Sequence, residues 1–485
     1  MKMFNGYERL SRDYSLLSDN YEHKMGQGYL LNGKKDQVAG FDVFFRKIPN
    51  NGGYAIMAGV DKVISYIENL HFGEKELRYF KRAGFKDEYI EYLRNFKFTG
   101  TVKAIPDGTP VFPNEPLITV IAPVIEAQIV ETAILSLING AMEHATGARR
   151  IIESTPKGVG VMEFGARRAD GTEAAIDASL YGMMAGCIGT SNDLAADMVN
   201  KTGIGTMAHS WIESYPDELT AFKAFAEVYP ENCILLVDTF DTLRSGVPNA
   251  IATFKWMEEN GIPTDHIGIR IDSGDLAYLS KEARKMFLNA GFPQAKICLS
   301  NGLTAETIET LIAQGAEFDS LGVGDNISKP EGRMGCVYKE ISMDGVPKIK
   351  LSEDAIKIVN PDIKNLYRAY DKETGYAVAD IMTREGEEIK TDDLIIVSTT
   401  DYLKKRKLTD FTIVPLQQTI FDNGELVFED PDLDTTKAYC EAQMATIYPE
   451  VKRTVQPHIY HVSGTEEYVN FKNDLIEEHR QLVLK

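Results

Sequence analysis

Residues 267–301 read IGIRIDSGDLAYLSKEARKMFLNAGFPQAKICLSN, and they hold one complete structural unit. IGIRID (267–272) and KICLSN (296–301) are short and mostly apolar, as strands buried on both faces are. Between them, GDLAYLSKEARKMFLNAG spaces its apolar residues for a helix. A buried strand, a helix and a second buried strand make a parallel βα unit. The rhythm continues outward on both sides. VGVMEF (159–164) and ILLVD (234–238) precede the unit and FDSLGVGD (318–325) follows it, with DGTEAAIDASLYGMMAGC, DTLRSGVPNAIATFKWMEENG and TAETIETLIAQG as the helical partners.

The polar residues that end these strands are Glu163, Thr206, Asp238, Asp272, Asn301 and Asp325, spaced 24 to 43 residues apart, about one βα unit each. In a parallel barrel such ends open onto one rim, where this fold carries its chemistry. Plain polar strand terminators are the alternative. The expected class is α/β, with a barrel over residues 151–340. The flanks read differently. Residues 99–123 give turn-rich strands and 127–153 a long helix; beyond 340, segments with DG, EG and NG turns read as hairpins, and 436–485 as charged helix. Residues 1–150 and 341–485 are therefore expected to build one α+β accessory domain from the two ends of the chain.

Composition limits the function. The 485 residues are 44% hydrophobic and 26% charged, with a formal net charge of -20. Such a field repels polyanions, which argues against nucleic acid and anionic membranes as partners, while a local basic pocket can still take a small phosphorylated substrate. The first thirty residues lack the apolar core of a signal peptide, and no run of about 18 apolar residues occurs. Five widely separated cysteines fit buried thiols in a reducing cytoplasm better than disulfides or a zinc site.

Five short stretches can carry chemistry. EFGARRADG (163–171) puts Arg167 and Arg168 after a strand, where guanidinium forks hold carboxylate or phosphate, beside Phe164, a face for ring stacking. A surface ion-pair cluster with Asp170 and Glu173 is the alternative. In RIDSGD (270–275), Ser273 or Asp275 can cap a helix, but capping does not explain Arg270, and Asp272 suits sugar hydroxyls or Mg2+. SNGL (300–303) and GVGDN (322–326) are glycine turns with bare amides for anions. GTMAHSWIES (205–214) holds His209, one of eight histidines; the nearest others, His144 and His266, are 65 and 57 residues away, too far in sequence to read as a zinc pair. Anion contact, proton transfer, transient phosphorylation and a structural role all remain open for it. A GxGxxG dinucleotide fingerprint is absent.

In order, LLSDNYEHKM (16–25), EFGARRADG, GTSND (189–193), GTMAHSW, LLVDTFDT (235–242), GIRIDSGD, LSNGL, GVGD and KIKLSEDAIKIV (348–359) closely resemble nicotinate phosphoribosyltransferase, over nearly the whole chain. The resemblance implies an irregular TIM-like α/β barrel of the type II phosphoribosyltransferase kind, and a cytoplasmic homodimer with shared active sites. It implies that nicotinate and 5-phosphoribosyl 1-diphosphate give nicotinate mononucleotide and diphosphate for NAD synthesis. It further implies Mg2+, held mainly through the diphosphate, and ATP as co-substrate, hydrolysed through a phosphohistidine at His209. By the same resemblance Phe164 and Tyr21 of the partner subunit sandwich the pyridine ring, and Arg167 and Thr206 hold its carboxylate. Arg270 and Asp272 act on phosphate and ribose, with the amides of Asn301, Gly302, Gly322, Gly324 and Asp325 for the 5-phosphate. Nicotinamide-using relatives carry aspartate where GTSND has Ser191, which favours nicotinate. A quinolinate enzyme would need extra basic residues for a second carboxylate, and a silent nucleotide-sensing relative would not need Arg270, Asp272 and His209 together.

Overall fold

Six parallel strands form the sheet that carries the predicted rim: β1 (Gly160–Glu163), β2 (Gly189–Thr190), β3 (Cys233–Leu236), β4 (Ile267–Ile271), β5 (Lys296–Ser300) and β6 (Ser320–Val323). This computed structural model describes residues 7–352 and 357–483, so part of the KIKLSEDAIKIV motif lies outside the described residues. The sheet order is β2-β1-β6-β5-β4-β3. The last strand thus pairs in parallel with the first, as a closing barrel requires, and the sheet is a curled half-barrel, as expected of an α/β barrel left open on one side. The break falls between β2 and β3. There, the strand expected to end at Thr206 does not form: residues 201–208 are irregular, held to β2 by the Ile204 amide donating to the Thr190 carbonyl at 2.8 Å. KTGIGTMA has glycines at 203 and 205, which leave no side chains to pack on a pleated surface.

Ile269, Leu299 and Leu321 are fully buried in the sheet. β4 and β5 each lead into a helix whose start is capped from its own loop. Asp275 accepts from the Tyr278 amide at 3.0 Å to open Leu276–Ala290, and Thr304 makes a reciprocal capping box with Thr307 to open Ala305–Ala313.

The chain divides into two compact units, Gly147–Glu331 with the parallel sheet, and Met1–Thr146 with Gly332–Lys485. The second unit starts at 332 rather than 341 because Val337–Met343 pairs antiparallel with Val38–Phe44. Its seven-stranded sheet draws strands from both chain ends, and Asp344-Gly345 and Asn423-Gly424, all at positive φ, make the tight turns expected of DG and NG. The EG turn is different. Ala377–Arg384, before it, pairs with Lys364–Asp371 and Val462–Thr465, not with Asp393–Ser398, which follows. Nor is 436–485 wholly helical: helices Leu433–Ala445 and Glu466–Val483 are separated by a strand, Val462–Thr465, inside a six-stranded sheet.

Arg368 ties this unit together and is fully buried. Its guanidinium forks onto Asp380 at 2.8 and 2.6 Å and donates to the Pro110 carbonyl at 2.8 Å, 258 residues away in sequence. Burial and the Asp380 carboxylate push the Glu115 carboxyl well above its usual range. An Arg368→Leu substitution leaves Asp380 buried without its cation. The expected loss is about 3–5 kcal/mol in urea unfolding, partly recovered by adding Asp380→Leu.

Candidate active site

At the C-terminal ends of β3, β4 and β5, six polar residues lock together. Arg270, on β4, donates through Nη1 to Thr206 Oγ1 at 2.7 Å, and its Nη2 lies 3.8 Å from Asp272 Oδ2. Asp272, one residue past β4, accepts from Ser300 Oγ at 2.6 Å, and its amide donates to Asp238 Oδ2 at 2.9 Å. Ser273 Oγ donates to the same Asp238 oxygen at 2.6 Å. The network spends one oxygen of each carboxylate on positioning. Arg270 Nε and Asp238 Oδ1 are buried with no hydrogen-bond partner among the described residues. Groups left this way cost about 1–3 kcal/mol each unless a ligand meets them.

The adjoining wall is aromatic. Phe164 follows β1 directly, and its ring lies over Gly322 in β6: a Cβ there would stand 2.7 Å from the ring carbons. Gly322 thus lies within the strand rather than past its end, and its service to the site is the space it leaves. Asn301 and Gly302 follow β5 with φ of 92° and 60°, the left-handed turn that turns amides outward. Asp325 begins the short helix Asp325–Ser328 after Gly324, and Arg168 Nε approaches its carboxylate at 3.5 Å.

His209 is the first residue of the helix His209–Glu213, three positions after Thr206, and its Nδ1 lies 3.0 Å from Thr239 Oγ1. A hydroxyl partner on one ring nitrogen leaves the other for a reacting group. Cys298, on β5 below Arg270, offers no rival nucleophile, since burial pushes its thiol up.

The chain as a whole has relatives over nearly its full length. The nicotinate phosphoribosyltransferase of Bacillus subtilis (strain 168) is 37% identical over 476 residues, covering 96% of this chain and 95% of its own. This chain belongs to the nicotinate phosphoribosyltransferase family. The family's N-terminal domain matches residues 16–139 and its C-terminal domain residues 363–472. Nicotinate phosphoribosyltransferase pncB2 of Mycobacterium tuberculosis (strain ATCC 25618 / H37Rv) is 38% identical over 442 residues, covering 90% of this chain and 88% of its own. The crystal structure of human nicotinic acid phosphoribosyltransferase is similar with a TM-score of 0.82 at 26% identity, over 95% of this chain and all 100% of that one.

The remaining family residues stand as follows. Arg167 and Ser191 are exposed, Arg167 with no ion pair to a described residue and Ser191 with its amide donating to the Glu163 carbonyl at 3.0 Å. Tyr21 lies in the other unit, on the helix Asn20–Leu31, and the residue is 44% exposed. Its phenol is raised by burial and by the Glu131 carboxylate that accepts its hydrogen bond.

Three residues were not picked as site residues from the sequence: Asp238, Thr239 and Ser300. The signal for the first two was DTFDT (238–242), a polar cluster following a buried strand as RIDSGD does. Glu163, by contrast, is structural. Fully buried, it accepts from Thr190 Oγ1 at 2.5 Å, from Ser179 Oγ at 3.0 Å and from the Gly165 amide, fixing the turn that carries Phe164.

The donor set also fits Mg2+. Asp238 Oδ1 and Asp272 Oδ2 are hard oxygens on adjacent carboxylates, and Mg2+ favours one or two such ligands with the rest on phosphate and water. Among the described residues no three His, Cys, Asp or Glu side chains converge into a full protein cage.

Proposed function

We propose that this protein joins nicotinate to 5-phosphoribosyl 1-diphosphate, giving nicotinate mononucleotide and diphosphate as the first step of NAD synthesis from nicotinate, and that ATP hydrolysis drives the step through a phosphoryl group on His209. The observation that carries the reading is the network of Arg270, Thr206, Asp272, Ser300 and Asp238, which leaves Arg270 Nε and Asp238 Oδ1 without a hydrogen-bond partner among the described residues.

In the reaction the pyridine nitrogen forms a bond to ribose C1 as the C1–O bond to diphosphate breaks, the electron pair leaving with the diphosphate. Positive charge builds on the ribose. Asp272, anchored by Ser300, offers a fixed negative charge there and an acceptor for the ribose hydroxyls, while Arg270 faces the departing oxygens; one such preorganised group is worth ~3 kcal/mol. Bound Mg2+ would neutralise the diphosphate, with Asp238 and Asp272 as its protein ligands. Phe164 and Tyr21 of the partner subunit would stack the ring, and Thr206 with Arg167 would hold its carboxylate. Asn301, Gly302, Gly324 and Asp325 would turn their amides to the 5-phosphate. In the coupled half-reaction, His209 takes the γ-phosphoryl group as the bond to ADP breaks, and water later removes it. A cytoplasmic homodimer with shared sites completes the reading.

The test is a product assay with phosphoribosyl diphosphate and Mg2+, comparing nicotinate with nicotinamide, with and without ATP, and following ADP release and phosphate on His209 by mass spectrometry. Nicotinate mononucleotide, ADP and a labelled His209 are expected together. Equal turnover of nicotinamide, or an unlabelled His209, overturns specificity or coupling respectively. Specificity has its own check in Ser191→Asp. A second negative charge beside the ring carboxylate is expected to lower kcat/KM for nicotinate by about 10- to 100-fold and to leave nicotinamide turnover equal or better.

A further inference from the structure

Glu163 does more than fix the turn that carries Phe164. It is the last residue of β1, fully buried, and in the parallel register it stands opposite Thr190, the last residue of β2. Both of its carboxylate oxygens are engaged, and they reach different loops. Oε1 accepts from the Gly165 amide, at the start of the turn that holds Phe164 and Arg167. Oε2 accepts from Thr190 Oγ1 at 2.5 Å, within GTSND, and from Ser179 Oγ at 3.0 Å, on the helix Thr172–Met184.

The GTSND loop hangs on the same residue. Thr190 Oγ1 accepts in turn from the Asn192 amide at 3.0 Å, and the Ser191 amide between them donates to the Glu163 backbone carbonyl at 3.0 Å. Asn192 Nδ2 donates to Ser179 Oγ at 3.2 Å, which closes a ring of contacts back to Glu163. Ser191 is thus exposed, yet the chain on both sides of it is tied to one buried side chain. The Phe164 turn has no slack either: a Cβ on Gly165 would stand 2.5 Å from the Gly324 carbonyl oxygen.

Donors that converge from a turn, a loop and a helix need a group that only accepts. A carboxylate does so, and hydrogen bonds to it are stronger than neutral ones. Glutamine would set an amide N–H against the Gly165 amide or against the hydroxyls, and one loop would come free of the other. We propose that Glu163 is a positioning residue for base discrimination, holding the Phe164 turn through Gly165 and the Ser191 loop through Thr190 in one arrangement. The proposal rests on the nicotinate-specific reading, in which Phe164 stacks the ring and Ser191 favours its carboxylate. Discrimination is a difference between two affinities, and it suffers when the walls of a site can shift against each other.

The experiment measures kcat/KM for nicotinate and for nicotinamide, with phosphoribosyl diphosphate and Mg2+, in wild type and in the Glu163→Gln, Thr190→Val and Thr190→Ser proteins. The ratio of the two constants is the readout, because a smaller folded fraction scales both alike and leaves their ratio unchanged. Glu163→Gln and Thr190→Val should each lower the ratio by about tenfold, through a higher KM for nicotinate, while KM for phosphoribosyl diphosphate stays within about twofold. Thr190→Ser keeps the hydroxyl and should hold the ratio within about threefold of wild type. Thr190→Val removes only the hydroxyl and keeps the side chain's shape, so it still decides the matter if Glu163→Gln fails to fold. A wild-type preference for nicotinate that survives within twofold in Thr190→Val, with KM for nicotinate unchanged, would overturn the proposal. A wild type with no preference between the bases would instead remove the specificity reading, and this proposal with it.

Discussion

His209→Asn protein, incubated with ATP, nicotinate, phosphoribosyl diphosphate and Mg2+, is expected to release no ADP and to carry no phosphate on the segment 205–214. Asparagine can still hydrogen-bond Thr239, which lies 3.0 Å from His209 Nδ1 in the native protein, so the local geometry survives the change. What is lost is the second ring nitrogen, the only nucleophile the imidazole can offer while the first is engaged. Nicotinate mononucleotide should still form, because Arg270, Asp272 and Asp238 are untouched. KM for nicotinate should rise by about 10- to 100-fold, the range that coupling free energies between sites span. Quantifying ADP by chromatography and phosphopeptides by mass spectrometry reads both halves. ATP-stimulated turnover that persists in the variant would put the phosphoryl carrier elsewhere.

The same residues show what a sequence discloses and what it does not. Strands buried on both faces have a strong, local signature, so IGIRID and KICLSN could be read directly, and with them the rim that Arg270 and Asp272 share. Arg270 stood out because no capping rule accounts for it, and its contact is indeed to Thr206, 64 residues away. Thr239 and Ser300 were silent for the opposite reason. A hydroxyl at a strand end satisfies turn and capping rules by itself, and only the fold reveals that one meets His209 and the other Asp272. Strand pairing was less legible still. Val462–Thr465 runs between Ala377–Arg384 and Asp393–Ser398, a non-local contact with no trace in a four-residue stretch, and the EG turn between those two strands therefore looked like a hairpin.

The break in the parallel sheet has a chemical consequence. Were residues 201–208 a paired strand, the amides there would be consumed in ladders. Left irregular, the segment carries Thr206 to Arg270 and delivers His209 to Thr239 within four residues. Two glycines and a missing ladder thus let one loop reach both Arg270 and Thr239.

Asp272→Ala should be the most damaging single change to the transfer itself. The native carboxylate is held on one oxygen by Ser300 at 2.6 Å and keeps the other near Arg270 at 3.8 Å, so its charge is fixed before substrate arrives. Charge that is already oriented is worth most where new charge appears, at ribose C1 as diphosphate departs, and its removal is expected to lower kcat/KM by about 10²–10³, or roughly 3–4 kcal/mol. Asp272→Asn separates the two roles of this side chain. It keeps the shape and a hydrogen bond to Ser300 but not the charge, so kcat should fall nearly as far as in the alanine protein while KM for phosphoribosyl diphosphate stays within a few-fold. Stability should barely follow, because the one broken internal bond is worth only about 1 kcal/mol. Urea unfolding run beside the kinetics therefore distinguishes a lost transition-state contact from a damaged fold. An Asp272→Ala enzyme with kcat/KM within threefold of wild type would remove this residue from the chemistry and leave Asp238, with its unpartnered Oδ1, as the carboxylate that meets the substrate.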